Sequence, residues 1–135
     1  MNISYNQITS LSSFNKKRPE GDETEYWPRL QICYLNSNKI SALTVINAPK
    51  LLKLDLSHND ISTVPETDDG FKGHENIEWL DLSRNKLTSL AMIRGMPNLK
   101  ELYVFSNTSI RKLNGLEECA KLEKLHLRAN SVVYC

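Results

Sequence analysis

Apolar and polar residues alternate along this chain in short bursts, and the same burst returns six times. Aligned on one asparagine, six segments superimpose: MNISYNQI around Asn6, LQICYLNSNKI around Asn38, LLKLDLSHNDI around Asn59, IEWLDLSRNKL around Asn85, LKELYVFSNTSI around Asn107 and LEKLHLRANSV around Asn130. With the first apolar residue as position 1, the pattern is apolar at 1, 4, 6 and 11, with asparagine at 9. The asparagines are 32, 21, 26, 22 and 23 residues apart, so a unit of 21 to 23 residues is the norm and two units are lengthened. Positions 4 and 6 alternate as in a strand, which turns Cys33/Leu35, Leu54/Leu56, Leu80/Leu82, Leu102/Val104 and Leu125/Leu127 to one face. A further apolar residue falls near position 14, at Leu11, Leu43, Val64 and Leu90.

A single unit cannot fold alone. Ordering its backbone costs roughly 1–2 kcal/mol per residue, and its half-dozen apolar side chains recover only about 1.5–3 kcal/mol each. Stacked units share one core. Pro28, Pro49 and Pro97 each stand two residues before position 1, where a fixed φ ends one segment and launches the next strand. The segments between asparagine and proline are too short for more than a helical turn or two. Two stretches break the period, 15–27 (NKKRPEGDETEYW) and 65–76 (PETDDGFKGHEN), and both read as surface loops. Tyr26, Trp27 and Phe71 within them are expected to pack back onto the core.

The repeated asparagines read as structural. After each strand the chain turns with backbone donors and acceptors inside, and an amide that both donates and accepts satisfies them. Asn6, Asn38, Asn59, Asn85, Asn107 and Asn130 are therefore expected to hold the turns together.

These residues are similar to the signature of leucine-rich repeats, over nearly the whole chain. The short unit resembles the intracellular subclass typified by the phosphatase regulator Sds22. The resemblance implies an α/β solenoid, a horseshoe segment with a concave parallel β-sheet and a convex side of short helices, 3-10 turns and loops. It implies one domain over 1–135, about six units. Met1 at position 4 and Cys135 at position 14 leave both ends without a polar cap, so the chain is expected to belong to a longer array or a larger assembly.

Composition narrows the function. Seventeen basic and sixteen acidic residues give a net charge of +1, too balanced for a surface that neutralises nucleic-acid phosphates. No apolar run approaches the about 18 residues of a membrane span, and the N-terminus lacks the layout of a secretory signal. Cys33, Cys119 and Cys135 are odd in number and far apart, fitting free thiols in a reducing compartment and not a zinc site. Two sequons occur, at Asn2 and Asn107, but the second asparagine belongs to the ladder. Asp55, Ser57 and His58 imitate a hydrolase triad, yet neighbours this close in one strand and turn cannot form its relay. No phosphate-binding glycine loop is present. Neither an enzyme nor a cofactor is expected.

The outward positions remain. Position 3 reads Ile32, Lys53, Trp79, Glu101, Lys124; position 5 reads Tyr34, Asp55, Asp81, Tyr103, His126; position 7 reads Asn36, Ser57, Ser83, Phe105, Arg128. Aromatic and arginine residues on a face that need not be buried suit a protein interface; they also stabilise a sheet by stacking across strands. The candidate protein-binding residues are Ile32, Tyr34, Lys53, Asp55, Trp79, Asp81, Tyr103, Phe105, His126 and Arg128. The function expected is a non-catalytic cytoplasmic scaffold or adaptor binding other proteins through this face and through its open ends. KISALTVINAPKLLKLDLSHN and KLNGLEECAKLEKLHLRAN resemble leucine-rich-repeat proteins of the ciliary axoneme, particularly of radial spokes. The alternative is an Sds22-like regulatory subunit of a protein phosphatase.

Overall fold

The computed structural model describes residues 1–12, 27–62, 64 and 74–132. Five three-residue strands form one parallel sheet: β1 (Ile32–Tyr34), β2 (Lys53–Asp55), β3 (Trp79–Asp81), β4 (Glu101–Tyr103) and β5 (Lys124–His126). Their order in space is their order in sequence. The register has no slip: Cys33 faces Leu54, Leu54 faces Leu80, Leu80 faces Leu102 and Leu102 faces Leu125. Each unit thus adds one strand to the last, as a solenoid requires. The N-terminal segment extends the edge, with Asn2 bridging Tyr34 and the Ile3 N–H donating to Tyr34 O at 3.0 Å.

The core is built of columns. Cys33, Leu54, Leu80 and Leu102 are fully buried at position 4, as are Leu35, Leu56, Leu82 and Val104 at position 6. Ile40, Ile61 and Leu87 fill position 11. In the fourth full unit the buried residue is Ile110, one place later, while Ser109 is exposed. The eleventh position is therefore corrected to the twelfth there, because a turn closes from the Ile110 N–H to Asn107 O at 3.1 Å.

Strand entry is a repeated β-turn. The carbonyls of Trp27, Ala48, His74, Met96 and Cys119 each accept the N–H three residues on, at 3.0 to 3.2 Å. Pro28, Pro49 and Pro97 hold the second place of three of these turns, where their fixed φ is already correct. Residues 74–76 belong to this series, and Trp27 packs partly buried against the core. The rest of the two expected loops, 15–26 and 65–73, with Tyr26 and Phe71, lies outside the described residues, as does Cys135.

Away from the sheet the described residues contain one named helix, the 3-10 helix Ala91–Gly95, with Met92 and Ile93 turned inward. Gly115 passes beside it at φ +105°. A Cβ there would stand 2.5 Å from Leu90 O, so this position requires glycine.

The asparagines clamp one unit to the next. Asn85 Nδ2 donates to Leu82 O of its own unit and to Leu56 O of the preceding one, both at 3.0 Å, while its Oδ1 accepts the Ile61 N–H at 2.9 Å. Asn59 does the same with Leu56 O, Leu35 O and the Ile40 N–H, and Asn107 with Val104 O, Leu82 O and the Leu87 N–H. Asn38 holds Leu35 O, Ile3 O and the Ile8 N–H. Asn130 holds Leu127 O and Val104 O, but its Oδ1 accepts the N–H of Asn107 itself, one consequence of the extra residue before Ile110. Asn6 is exposed and reaches only Ile3 O and Ser4 O within its own segment.

Just before each asparagine the backbone turns left-handed. Tyr5, Ser37, His58, Arg84, Ser106 and Ala129 have φ of 54 to 58°, an uncommon state for residues with a Cβ. The N–H groups of Ser37, His58, Arg84 and Ser106 each donate to a carbonyl of the next unit at 2.8 to 3.0 Å, which holds that conformation.

Candidate functional site

Strand alternation sends positions 4 and 6 inward and leaves positions 3 and 5 on the open face of the sheet. Lys53, Trp79, Asp55, Asp81, Tyr34 and Tyr103 are half-buried there, and Ile32, at the edge, is 44% exposed. His126 and Arg128, on and just after β5, are exposed. Position 7 departs from the expected outward row: Ser57 and Ser83 are buried. The Ser57 N–H and hydroxyl both donate to Asp55 Oδ1, at 3.0 and 2.7 Å, and the Ser83 N–H donates to Asp81 Oδ1 at 2.8 Å. At Ser57 the short hydroxyl folds back on the position-5 carboxylate, whereas at Ser83 the backbone N–H alone makes that bond. Phe105, too large for that, stays half-buried beneath the Arg84 guanidinium, 6.0 Å from its ring centre.

The aromatics are coupled across strands. Trp79 and Tyr103 lie 5.2 Å apart between ring centres at 42°, and Tyr103 stacks on His126 at 4.3 Å and 6°. Register places Asp81, not Trp79, directly opposite Tyr103, so the tryptophan makes this contact diagonally. Lys53 Nζ sits 4.1 Å from the centre of the Trp79 ring and 5.7 Å from that of Tyr34. Phe105 keeps to its own corner with Arg84.

Glu101 ties the far side together. It accepts the Tyr103 hydroxyl at 2.8 Å and the Lys124 ammonium at 2.9 Å, and these bonds hold its carboxyl below the usual range. Sequence reasoning left Glu101 and Lys124 out of the candidate set, although the signal was present. Opposite charges stand at the same position of adjacent units, and position 5 lies two residues on from position 3. Asp81 moves the other way: partial burial raises its carboxyl, and the neighbouring Asp55 adds to that against the hydrogen bonds from Ser83.

The groups with chemical potential elsewhere are occupied in packing. Cys33 and Cys119 are free, buried thiols, and burial pushes the Cys33 thiol up to about 11. The Ser57 hydroxyl gives its hydrogen to Asp55, so the Asp55–Ser57–His58 run forms a turn. His74 is buried where other units place Ala48, Met96 or Cys119; its Nε2 accepts the Ile46 N–H at 3.0 Å, and burial lowers its pKa to about 4. Among the described residues no helix is long and apolar enough to cross a membrane.

Known proteins agree with this geometry. Residues 75–118 match the family described as Leucine Rich repeats (2 copies), and residues 47–64 match Leucine Rich repeat. The chain is a leucine-rich-repeat protein. It is 31% identical over 97 residues to human leucine-rich repeat-containing protein 36, covering 70% of this chain and 13% of that protein. It is 32% identical over 111 residues to human leucine-rich repeats and immunoglobulin-like domains protein 1, covering 79% of this chain and 9% of that one. A 187-kDa microtubule-associated protein of Arabidopsis thaliana is 38% identical over 84 residues, 59% of this chain and 5% of its own length. The chain therefore spans only a small fraction of these relatives. An internalin of Listeria monocytogenes superposes with a TM-score of 0.66 at 21% identity, over 76% of this chain and 29% of that one, which speaks for the fold alone. Leucine-rich-repeat solenoids serve in protein–protein interaction and are typically non-catalytic.

Proposed function

We propose that this chain is a non-catalytic scaffold or adaptor segment that holds another protein against the open face of its sheet, as a cytoplasmic building block of a larger assembly. The observation that carries the reading is the Tyr34–Lys53–Trp79–Tyr103–His126 array. Its members up to Tyr103 are half-buried and His126 is exposed, the rings and the ammonium are in mutual contact, and charge surrounds the rings. Interfaces favour such rigid aromatic anchors, since they lose little freedom on binding. A cytoskeletal setting, the ciliary axoneme and its radial spokes in particular, is supported by the GLEE and LHLR stretches and by the likeness to a microtubule-associated protein.

Affinity purification of the tagged chain from ciliated cells, followed by mass spectrometry, tests this. Axonemal proteins are the expected companions, whereas a phosphatase catalytic subunit in their place would establish the Sds22-like regulatory reading. In the same assay Trp79→Ala/Tyr103→Ala is expected to lose the companion and Arg111→Glu/Lys112→Glu, both off the sheet, to keep it. The reverse pattern would move the binding site away from the sheet.

A further inference from the structure

Position 5 carries a row whose charges do not balance. Register sets Tyr34 opposite Asp55, Asp55 opposite Asp81 and Asp81 opposite Tyr103. The two carboxylates stand on adjacent strands about 4.8 Å apart, and like charges directly opposite one another destabilise a sheet. Every other charged group of this face that belongs to β2, β3 or β4 has found a partner. Lys53 lies over Trp79, and Glu101 is bonded to Lys124 and Tyr103. The ion pairs among the described residues are Lys86–Asp60, Lys100–Glu78 and Lys124–Glu101, and none includes Asp55 or Asp81. Each of the two uses Oδ1 for its serine turn, and Oδ2 has no protein donor among the described residues.

We propose that the Tyr34–Asp55–Asp81–Tyr103 row seats a basic side chain, arginine foremost, presented by the protein partner. This rests on the reading that the sheet face binds protein. A guanidinium suits the row because its planar fork can address two carboxylate oxygens at once while its faces lie against aromatic rings. The face already performs half of this chemistry, holding the chain's own Lys53 against Trp79 and Tyr34. A basic guest also relieves the repulsion between the carboxylates, which a neutral or acidic guest leaves in place. Burial holds the Asp81 carboxyl above its usual range, and the Asp55 charge adds to that against the Ser83 bond and the nearby His58.

Nuclear magnetic resonance titration of the full chain with the capped peptide Gly-Arg-Gly-Arg-Gly tests the proposal, with Gly-Glu-Gly-Glu-Gly and Gly-Leu-Gly-Leu-Gly as controls. The expected result is saturable shifts of the Asp55, Asp81 and Tyr103 amides with the arginine peptide alone. Asp55→Asn/Asp81→Asn, which keeps the Oδ1 acceptors and hence the turns, should bind at least about tenfold more weakly. It should also unfold at a higher denaturant concentration than the parent. Glu118→Gln/Glu123→Gln removes the same charge elsewhere and should bind as the parent does. Undiminished arginine-peptide binding by the Asp55/Asp81 variant would overturn the proposal. So would equal loss in the Glu118/Glu123 variant, or calcium alone producing the same shifts. Shifts of the same amides by the leucine or glutamate peptide alone would overturn the basic guest while leaving the face a protein-binding surface. Silence of the face toward all three peptides would overturn the proposal, and the purification above would then decide the broader reading by itself.

Discussion

Two regions a few residues apart in every unit, the asparagine turn and the open sheet face, are governed by different requirements. In the turn the same residue returns at Asn38, Asn59, Asn85 and Asn107, each buried, and each amide bonds to the turn carbonyls of its own unit and of the one before. On the face the residues change from unit to unit, range from half-buried to exposed and include two opposed carboxylates that enter no ion pair among the described residues. A turn that must satisfy the same buried backbone groups in each unit admits one solution. A face that borders solvent is free to vary, and its variation is where a partner can be specified.

Asn85→Ala should break the comparison most visibly. It strips a donor from Leu56 O and Leu82 O and an acceptor from the Ile61 N–H. The buried Ile61 N–H is left unsatisfied, while Leu56 O and Leu82 O each keep one amide donor, from Asn59 and Asn107, so losing the three bonds should cost about 3 kcal/mol in denaturant unfolding. Asn6→Ala, at the exposed end of the same column, should cost less than about 0.5 kcal/mol. Equal effects would mean that the interior position of the amide does not matter.

His74 gives the next largest effect. Its folded pKa of about 4 lies below the ordinary 6.5, because burial penalises the imidazolium more than Glu75 favours it. Above pH 6.5 both states are neutral and the full stability is present. As pH falls from 6.5 toward 4, the unfolded chain takes up a proton that the fold refuses, and stability declines. Between pH 7.5 and 5 this residue alone should cost about 2 kcal/mol. His74→Met, which copies Met96 in the equivalent place, should lose that share of the pH dependence. An unchanged slope in urea titrations at the two pH values would show that His74 titrates freely in the fold.

On the face the expected change is small and of opposite sign. Asp81→Asn keeps the acceptor for the Ser83 N–H and removes one of two opposed charges, so thermal unfolding should shift upward, by about 0.5 kcal/mol. A fall in stability would mean that the carboxylate is compensated after all.

Much of this was legible in the sequence because repetition averages out local ambiguity. The strand centres, the inward columns and the outward rows at positions 3 and 5 follow from alternation counted over five units. Other features carried no such signal. The left-handed residues before each asparagine are Tyr, Ser, His, Arg, Ser and Ala, none of them the glycine that marks such a backbone in a sequence. Their conformation comes from bonds to the neighbouring unit, which one unit's residues do not reveal. Ser57 and Ser83 were placed outward by parity, yet both go under cover in a turn whose backbone N–H bonds to an aspartate two residues earlier. His74 read as part of a loop because its turn lacks the proline that announces three of the other four members. Alternation alone sets Trp79 near both Tyr103 and Phe105 of the next unit, and only the structure shows that Tyr103 is the ring it meets.

The central claim is that the turns hold the solenoid while the aromatic face is left for a partner. The most direct test is to measure Asn85→Ala and Trp79→Ala/Tyr103→Ala side by side in equilibrium denaturant unfolding. The account predicts about 3 kcal/mol for the single buried amide and about 1 kcal/mol for the two large face aromatics together. An aromatic variant that lost as much stability as Asn85→Ala would contradict it, because those rings would then be braces of the sheet and not a surface kept open for binding.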